Sequence, residues 1–236
     1  MAQPVPSGAR PRRVIAVLGM HRSGTSALTG SLEQHGLFLG EVSTADRHNP
    51  KGNREAREMR VLNEAVLRAS GGAWDRPPGA VSWRPEHEDR ARALLAEHAG
   101  RPLWGFKDPR VLLTLRGWLE LVPDLERVGV FRHPLRVARS LERRNGMSTE
   151  NAVALWQAYN EALLSELRRQ PFPLVCFDEE PGVLSDKLLA AARALGLQEG
   201  PAAERFFTPD LRHAEPVEAA PAPARALYEE LRALAL

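Results

Sequence analysis

Val14-Ile15-Ala16-Val17-Leu18-Gly19-Met20-His21-Arg22-Ser23-Gly24-Thr25-Ser26 holds the decision about the fold. Five apolar residues without a polar break read as a strand buried on both faces, the pattern of parallel sheets. Gly19 ends the run, and a helix is expected from near Gly24 to Gly36, where glycine acts as a stop. A glycine-framed turn from strand to helix presents backbone N–H groups at a helix N-terminus, which favours an anion. Thr25 and Ser26 add hydroxyl donors. Outward from this stretch the chain alternates. Pro102 to Phe106, Arg127 to Phe131 and Phe172 to Phe177 read as further strands. Helical spacing or boundary signals mark Arg54 to Ala69, Glu86 to His98, Val111 to Leu121, Leu135 to Arg144, Glu150 to Arg169, Val183 to Leu195 and Ala224 to Leu236. The expected class is therefore α/β, a three-layer fold with a central parallel sheet of about four to five strands flanked by helices. Ligands in such sheets bind at the carboxyl ends of strands, which places the residues of interest after Leu18, Phe106, Phe131 and Phe177.

Composition narrows the function classes. The 236 residues carry 32 basic against 30 acidic side chains, a balance that argues against a nucleic-acid coat or a polybasic membrane anchor. The lysines are Lys51, Lys107 and Lys187, so most cations are arginines, which suit forked contacts to phosphate or sulfate. Cys176 is the one cysteine, which excludes an intrachain disulfide and a cysteine-rich zinc site, and the seven histidines lack metal-ligand spacing, so no metal is expected. No apolar run reaches the roughly 18 residues of a membrane helix. The Pro-, Gly- and Arg-rich start does not read as a secretory signal, and a cytoplasmic location is expected. Residues 1–12 read as a disordered tail, 13–213 as the domain, and 214–236 as a Pro/Ala-rich connector with a C-terminal helix. Oligomeric state is not legible.

The spacing from Gly19 to Ser26 matches a P-loop, but Thr25 stands at the Walker lysine position, so a nucleoside triphosphate would lose its β/γ-phosphate clamp. The cation sits instead at Arg22. A second anion motif follows the third strand. Arg132 leaves the strand end in Arg132-His133-Pro134-Leu135-Arg136-Val137-Ala138-Arg139-Ser140, and Ser140 follows eight residues later. On Arg22-Ser23-Gly24-Thr25-Ser26 and on Arg132 with Ser140, in this order, the chain resembles the sulfotransferases that use 3′-phosphoadenosine 5′-phosphosulfate, a superfamily with a P-loop NTPase-like fold. Trp104-Gly105-Phe106-Lys107-Asp108-Pro109-Arg110 resembles a segment of the bacterial members. Leu174-Val175-Cys176-Phe177-Asp178-Glu179 resembles the later strand ending in an aromatic and acidic pair near the adenine. The resemblance spans most of Val14 to Leu197.

That resemblance implies a donor, 3′-phosphoadenosine 5′-phosphosulfate, with adenosine 3′,5′-bisphosphate as product and no metal. It implies that Arg22, Ser23, Gly24, Thr25 and Ser26 hold the 5′-phosphosulfate and that Arg132 and Ser140 hold the 3′-phosphate. Phe177 then lies near the adenine. The basic C-terminal loop of the cytosolic branch has no clear counterpart; only Arg205 and Leu211-Arg212-His213 could compensate. The acceptor is a hydroxyl or amine on a small molecule, glycan or peptide. Sulfuryl transfer needs a cation for the leaving oxygen, filled by Arg22 or Lys107, and a base for the nucleophile. Several branches use a glutamate after the first helix, which leaves Glu55 and Glu41, with Asp108 as a third candidate. Glu55 is favoured because Asn49 to Glu55 resembles the acceptor-side motif of the bacterial group. His21, His48, His133 and His213 are possible proton shuttles, and Trp74, Trp83 and Trp118 are candidates for an acceptor pocket. Two other readings compete. A P-loop kinase or nucleotide phosphohydrolase shares the opening strand, loop and helix. A non-catalytic module could keep the fold and bind anions or a partner.

Overall fold

A computed structural model describes residues 2–45, 52–198 and 219–236. It is α/β. Four strands, β1 (Arg13–Leu18), β2 (Leu103–Lys107), β3 (Glu126–Phe131) and β4 (Leu174–Cys176), form a parallel sheet in the order β2-β1-β3-β4. The described helices are α1 (Thr25–Gln34), α2 (Arg57–Ala69), α3 (Pro85–Glu97), α4 (Val111–Leu121), α5 (Pro134–Asn145), α6 (Thr149–Arg169), α7 (Pro181–Ala194) and α8 (Ala222–Leu234). Proline opens α3, α5 and α7 at the position where its missing N–H costs no intrahelical bond. Two compact units result: Met1–Leu18 with Leu37–Arg127, and Gly19–Gly36 with Val128–Leu236.

In the first unit β1 and β2 pair in parallel from Arg13↔Leu103 to Val17↔Lys107. Val14 to Leu18 are all buried, so the uninterrupted apolar run is a strand covered on both faces. A ladder of rings packs beside them. Trp104 and Phe106 lie 5.2 Å apart, Phe106 and Trp118 4.9 Å, and Trp118 and Trp83 5.4 Å. Gly117 is required there, because a Cβ would sit 2.3 Å from the Trp83 ring. Trp118 is fully buried and Trp83 half-buried against it, and their N–H groups are used on Asn63 Oδ1 and Thr114 O respectively. The N-terminal stretch is packed, contrary to the expected disordered tail. Ser7–Ala9 forms a 3₁₀ turn, Val5 is buried with its N–H on Leu121 O, and Arg10 pairs with Asp124 at 2.6 Å. The proline-rich composition concealed one apolar anchor and one ion pair.

In the second unit β3 and β4 pair in parallel from Gly129↔Leu174 to Phe131↔Cys176. Helix α6 is capped by Ser148, whose Oγ accepts the Asn151 N–H at 3.3 Å. It packs against α5 and α8, while α1 packs against α7. Helix α8 belongs to this unit. Leu227 and Leu231 are buried, and the Leu236 N–H reaches Leu174 O at 2.9 Å. Among the described residues no helix is long and apolar enough to cross a membrane.

Candidate functional site

The loop after β1 is shaped by close approaches. A Cβ on Gly19 (φ 152°) would lie 2.4 Å from Val130 O. Gly24, at φ 92°, is the N-cap of α1, and a Cβ there would meet the Phe177 ring at 2.3 Å. Both positions therefore demand glycine. Arg22 adopts φ 68°, an uncommon conformation for a side-chain-bearing residue and one that costs of order 1–3 kcal/mol. Ser23 is fully buried, and its Oγ has no hydrogen-bond partner. A buried hydroxyl at the start of a helix whose first N–H groups lack intrahelical acceptors is what an anion cradle requires. Gly24→Ala combines a left-handed alanine with a clash on Phe177, so a stability loss of about 2 kcal/mol is expected in urea unfolding. An unchanged unfolding midpoint would show that the loop and Phe177 repack freely.

The two motifs meet. Arg22 Nε donates to Ser140 Oγ at 2.7 Å across 118 residues of chain. Arg132 leaves the end of β3 with its carbonyl held by Trp156 Nε1 at 2.8 Å, and its guanidinium lies 5.5 Å from the centre of the Phe177 ring. Asp178 follows Phe177. Its Oδ1 lies 3.8 Å from Arg132 Nε and 3.4 Å from Arg136 Nε, and its Oδ2 accepts the His133 N–H and the Tyr228 O–H, the latter at 3.1 Å. Arg136 is 19 % exposed and turned onto Asp178. Burial holds the His133 imidazole below its usual range, with Asp178 opposing and Arg136 assisting.

In the first unit, Lys107 ends β2 and donates from Nζ to Glu55 Oε1 at 2.7 Å. The ammonium is 1 % exposed and the carboxylate 18 %. Burial pushes Lys107 below its ordinary value, while Glu55 and Asp108 pull it up. Glu55 does not lie in the first turn of α2; it precedes the helix, held where Ser43 N–H donates to Glu55 O and Arg54 N–H to Ser43 O. Asp108 is fully buried. Its Oδ1 accepts from Arg110 N and Nη1, and its Oδ2 accepts from Asn63 Nδ2 at 3.0 Å. Both oxygens are committed to fixing the turn into α4.

No protein-family profile matches the chain, and no curated protein matches it in sequence. Solved structures do. The whole chain superposes on 93% of the sulfotransferase domain from the Synechococcus PCC 7002 olefin synthase, with a TM-score of 0.54 and 18% identity. The chain has a sulfotransferase fold. Similarity to the sulfotransferase STF1 from Mycobacterium tuberculosis H37Rv covers 96% of this chain and 78% of that one, at 16% identity and a TM-score of 0.47.

Within the sulfotransferase fold the residues singled out from the sequence divide into groups. Arg22 to Ser26, Arg132, Ser140 and Phe177 all belong to the second unit, and the Arg22–Ser140, Gly24–Phe177 and Arg132–Phe177 contacts link them. Glu55 and Lys107 belong to the first unit and form a pair that sequence reading treated as two separate candidates. Glu41 is exposed. Arg212, with Arg205, His213, His48 and positions 49–51 of the acceptor-side motif, lies outside the described residues. Tyr228 and Arg136 went unrecognised. No local pattern marks Tyr228, one of two tyrosines, as the partner of a carboxylate 50 positions earlier.

Proposed function

We propose that this chain is a sulfotransferase that moves a sulfuryl group from 3′-phosphoadenosine 5′-phosphosulfate to a hydroxyl or amine of a small-molecule, sugar or peptide acceptor. The observation that carries the reading is the 2.7 Å hydrogen bond from Arg22 Nε to Ser140 Oγ. It joins a cradle for one anion to the motif for a second, and a donor with separate 5′- and 3′-phosphates needs both. The unpartnered Ser23 Oγ and the Gly24–Phe177 contact agree with a phosphate held at the loop and a base beside the ring. When bound, the donor supplies the activated sulfuryl group and a good leaving group.

The remaining work falls to the chain. Ser23, Thr25, Ser26 and the first N–H groups of α1 hold the 5′-side anion. Arg22 places a permanent positive charge where leaving-group charge builds and does not act as an acid, because guanidinium keeps its proton. Arg132 and Ser140 hold the 3′-phosphate, and Phe177 offers a ring face to the adenine. Glu55 accepts the acceptor's proton, with Lys107 orienting the carboxylate. Asp108 takes the structural role that its filled hydrogen bonds describe.

Adenosine 3′,5′-bisphosphate is expected to raise the melting temperature well beyond AMP or Mg²⁺–ATP. Ligand at 100 times its dissociation constant contributes about 2.7 kcal/mol. Differential scanning fluorimetry with calorimetry checks it. Equal shifts with AMP would remove the two-anion reading, and a response to Mg²⁺–ATP alone would favour the kinase or phosphohydrolase reading. A screen of acceptors with labelled donor then separates an enzyme from a binding module.

A further inference from the structure

Helix α8 carries a side chain that reaches the ionic centre of the second unit. The Tyr228 ring lies 5.7 Å from Phe131 and 5.0 Å from His133, both edge-on, and its hydroxyl is 3.6 Å from Cys176 Sγ. Boxed in this way the ring has one orientation, and the O–H donates to Asp178 Oδ2 at 3.1 Å. Burial and the Asp178 charge push the phenol far above its ordinary range, so the group stays a donor at every working pH.

Asp178 is nearly closed off, its side chain 10 % exposed. Its Oδ2 is fixed from two sides, by the His133 backbone N–H and by Tyr228. That leaves Oδ1 turned to Arg132 and Arg136, 3.8 Å from one Nε and 3.4 Å from the other. A carboxylate held there neutralises part of two adjacent positive charges and stops them from repelling each other. We propose that Tyr228 is a positioning residue for the 3′-phosphate, acting through Asp178 on Arg132 and Arg136, so that the C-terminal helix is part of the donor site. This rests on the donor reading above and adds Arg136 as a second guanidinium directed to the same phosphate. Without the Tyr228 hydroxyl, the carboxylate loses one of the two hydrogen bonds that set its plane. It then turns toward the arginines and draws them off the phosphate.

The test compares adenosine 3′,5′-bisphosphate with AMP, which lacks the 3′-phosphate, by calorimetry on the full chain and on Tyr228→Phe. The substitution keeps the ring that packs on Phe131 and His133, and the urea midpoint checks that the fold survives. The expected result is a loss of about tenfold in affinity for the bisphosphate, the scale of one hydrogen bond to a charged group, with AMP binding unchanged. Arg136→Gln should lose bisphosphate affinity in the same selective way. If Tyr228→Phe binds both ligands as the parent does, or loses affinity for both equally, the positioning role is overturned while the donor reading stands. If the parent chain does not discriminate between bisphosphate and AMP, the donor reading itself falls, and this inference with it.

Discussion

Arg22→Ala is expected to lower turnover about 100- to 1,000-fold at saturating donor, with a smaller change in donor affinity, the usual consequence of removing one stabiliser of transition-state charge. Arg22 holds a left-handed backbone conformation, and alanine meets the same strain there, so the substitution does not relax the loop toward another shape. What it removes is the guanidinium and its hydrogen bond to Ser140. Ser140→Ala separates these two losses. It deletes the same hydrogen bond but leaves the cation, so it should weaken bisphosphate binding with little effect on the single-turnover rate once donor is saturating. Arg22→Lys keeps the charge without the fork and should retain part of the rate. Single-turnover sulfation with matched binding data decides the matter. Wild-type turnover by Arg22→Ala at saturating donor would transfer the leaving-group role to Lys107.

Glu55→Gln is expected to have the largest effect on stability. Lys107 is buried and Glu55 half-buried, and removing the carboxylate leaves the buried ammonium without its hydrogen-bonded partner. The expected loss is about 3 kcal/mol near neutral pH, toward the lower end for a broken buried pair because glutamine still offers Lys107 an oxygen. The pH dependence carries a sign. Burial sets the folded Lys107 below its ordinary 10.5, so between the folded and unfolded values the unfolded chain binds more protons, and stability rises with pH through that window. Glu55 is among the influences that raise Lys107. Without it the folded value drops further and the window extends to lower pH, so the deficit of Glu55→Gln should shrink as pH rises toward the ordinary 10.5 and Lys107 sheds its proton. Urea unfolding across that range measures it. A deficit that stays constant would mean that Lys107 does not titrate there. The same variant should also slow sulfation, most for acceptors with weakly acidic hydroxyls, which depend most on a base.

The elements themselves were legible because they follow from neighbours along the chain. Val14 to Leu18 is apolar at every position, which suits a strand covered on both faces, and Pro134 and Pro181 open helices where their fixed φ suits the first turn. Gly19 and Gly24 announced a turn, and the structure adds the reason that no other residue serves: Val130 O stands against one and the Phe177 ring against the other. Arg22, Arg132 and Ser140 were recognisable as parts of anion motifs, but their meeting was not, since no local spacing encodes a contact across 118 residues. Glu55 and Lys107 were separate candidates, one for the base and one for the leaving-group cation, and β2 and the strap before α2 bring them to 2.7 Å. The N-terminal stretch looked loose because proline and arginine dominate it, and the burial of Val5 and the Arg10–Asp124 pair exist only against a folded α4 and its following turn. Tyr228 is the clearest case of tertiary decision. Its place in α8 follows from helical periodicity, but its bond to Asp178 depends on α8 packing against α5 and α6, a choice governed by which buried surfaces fit together and not by any residue beside it in the chain.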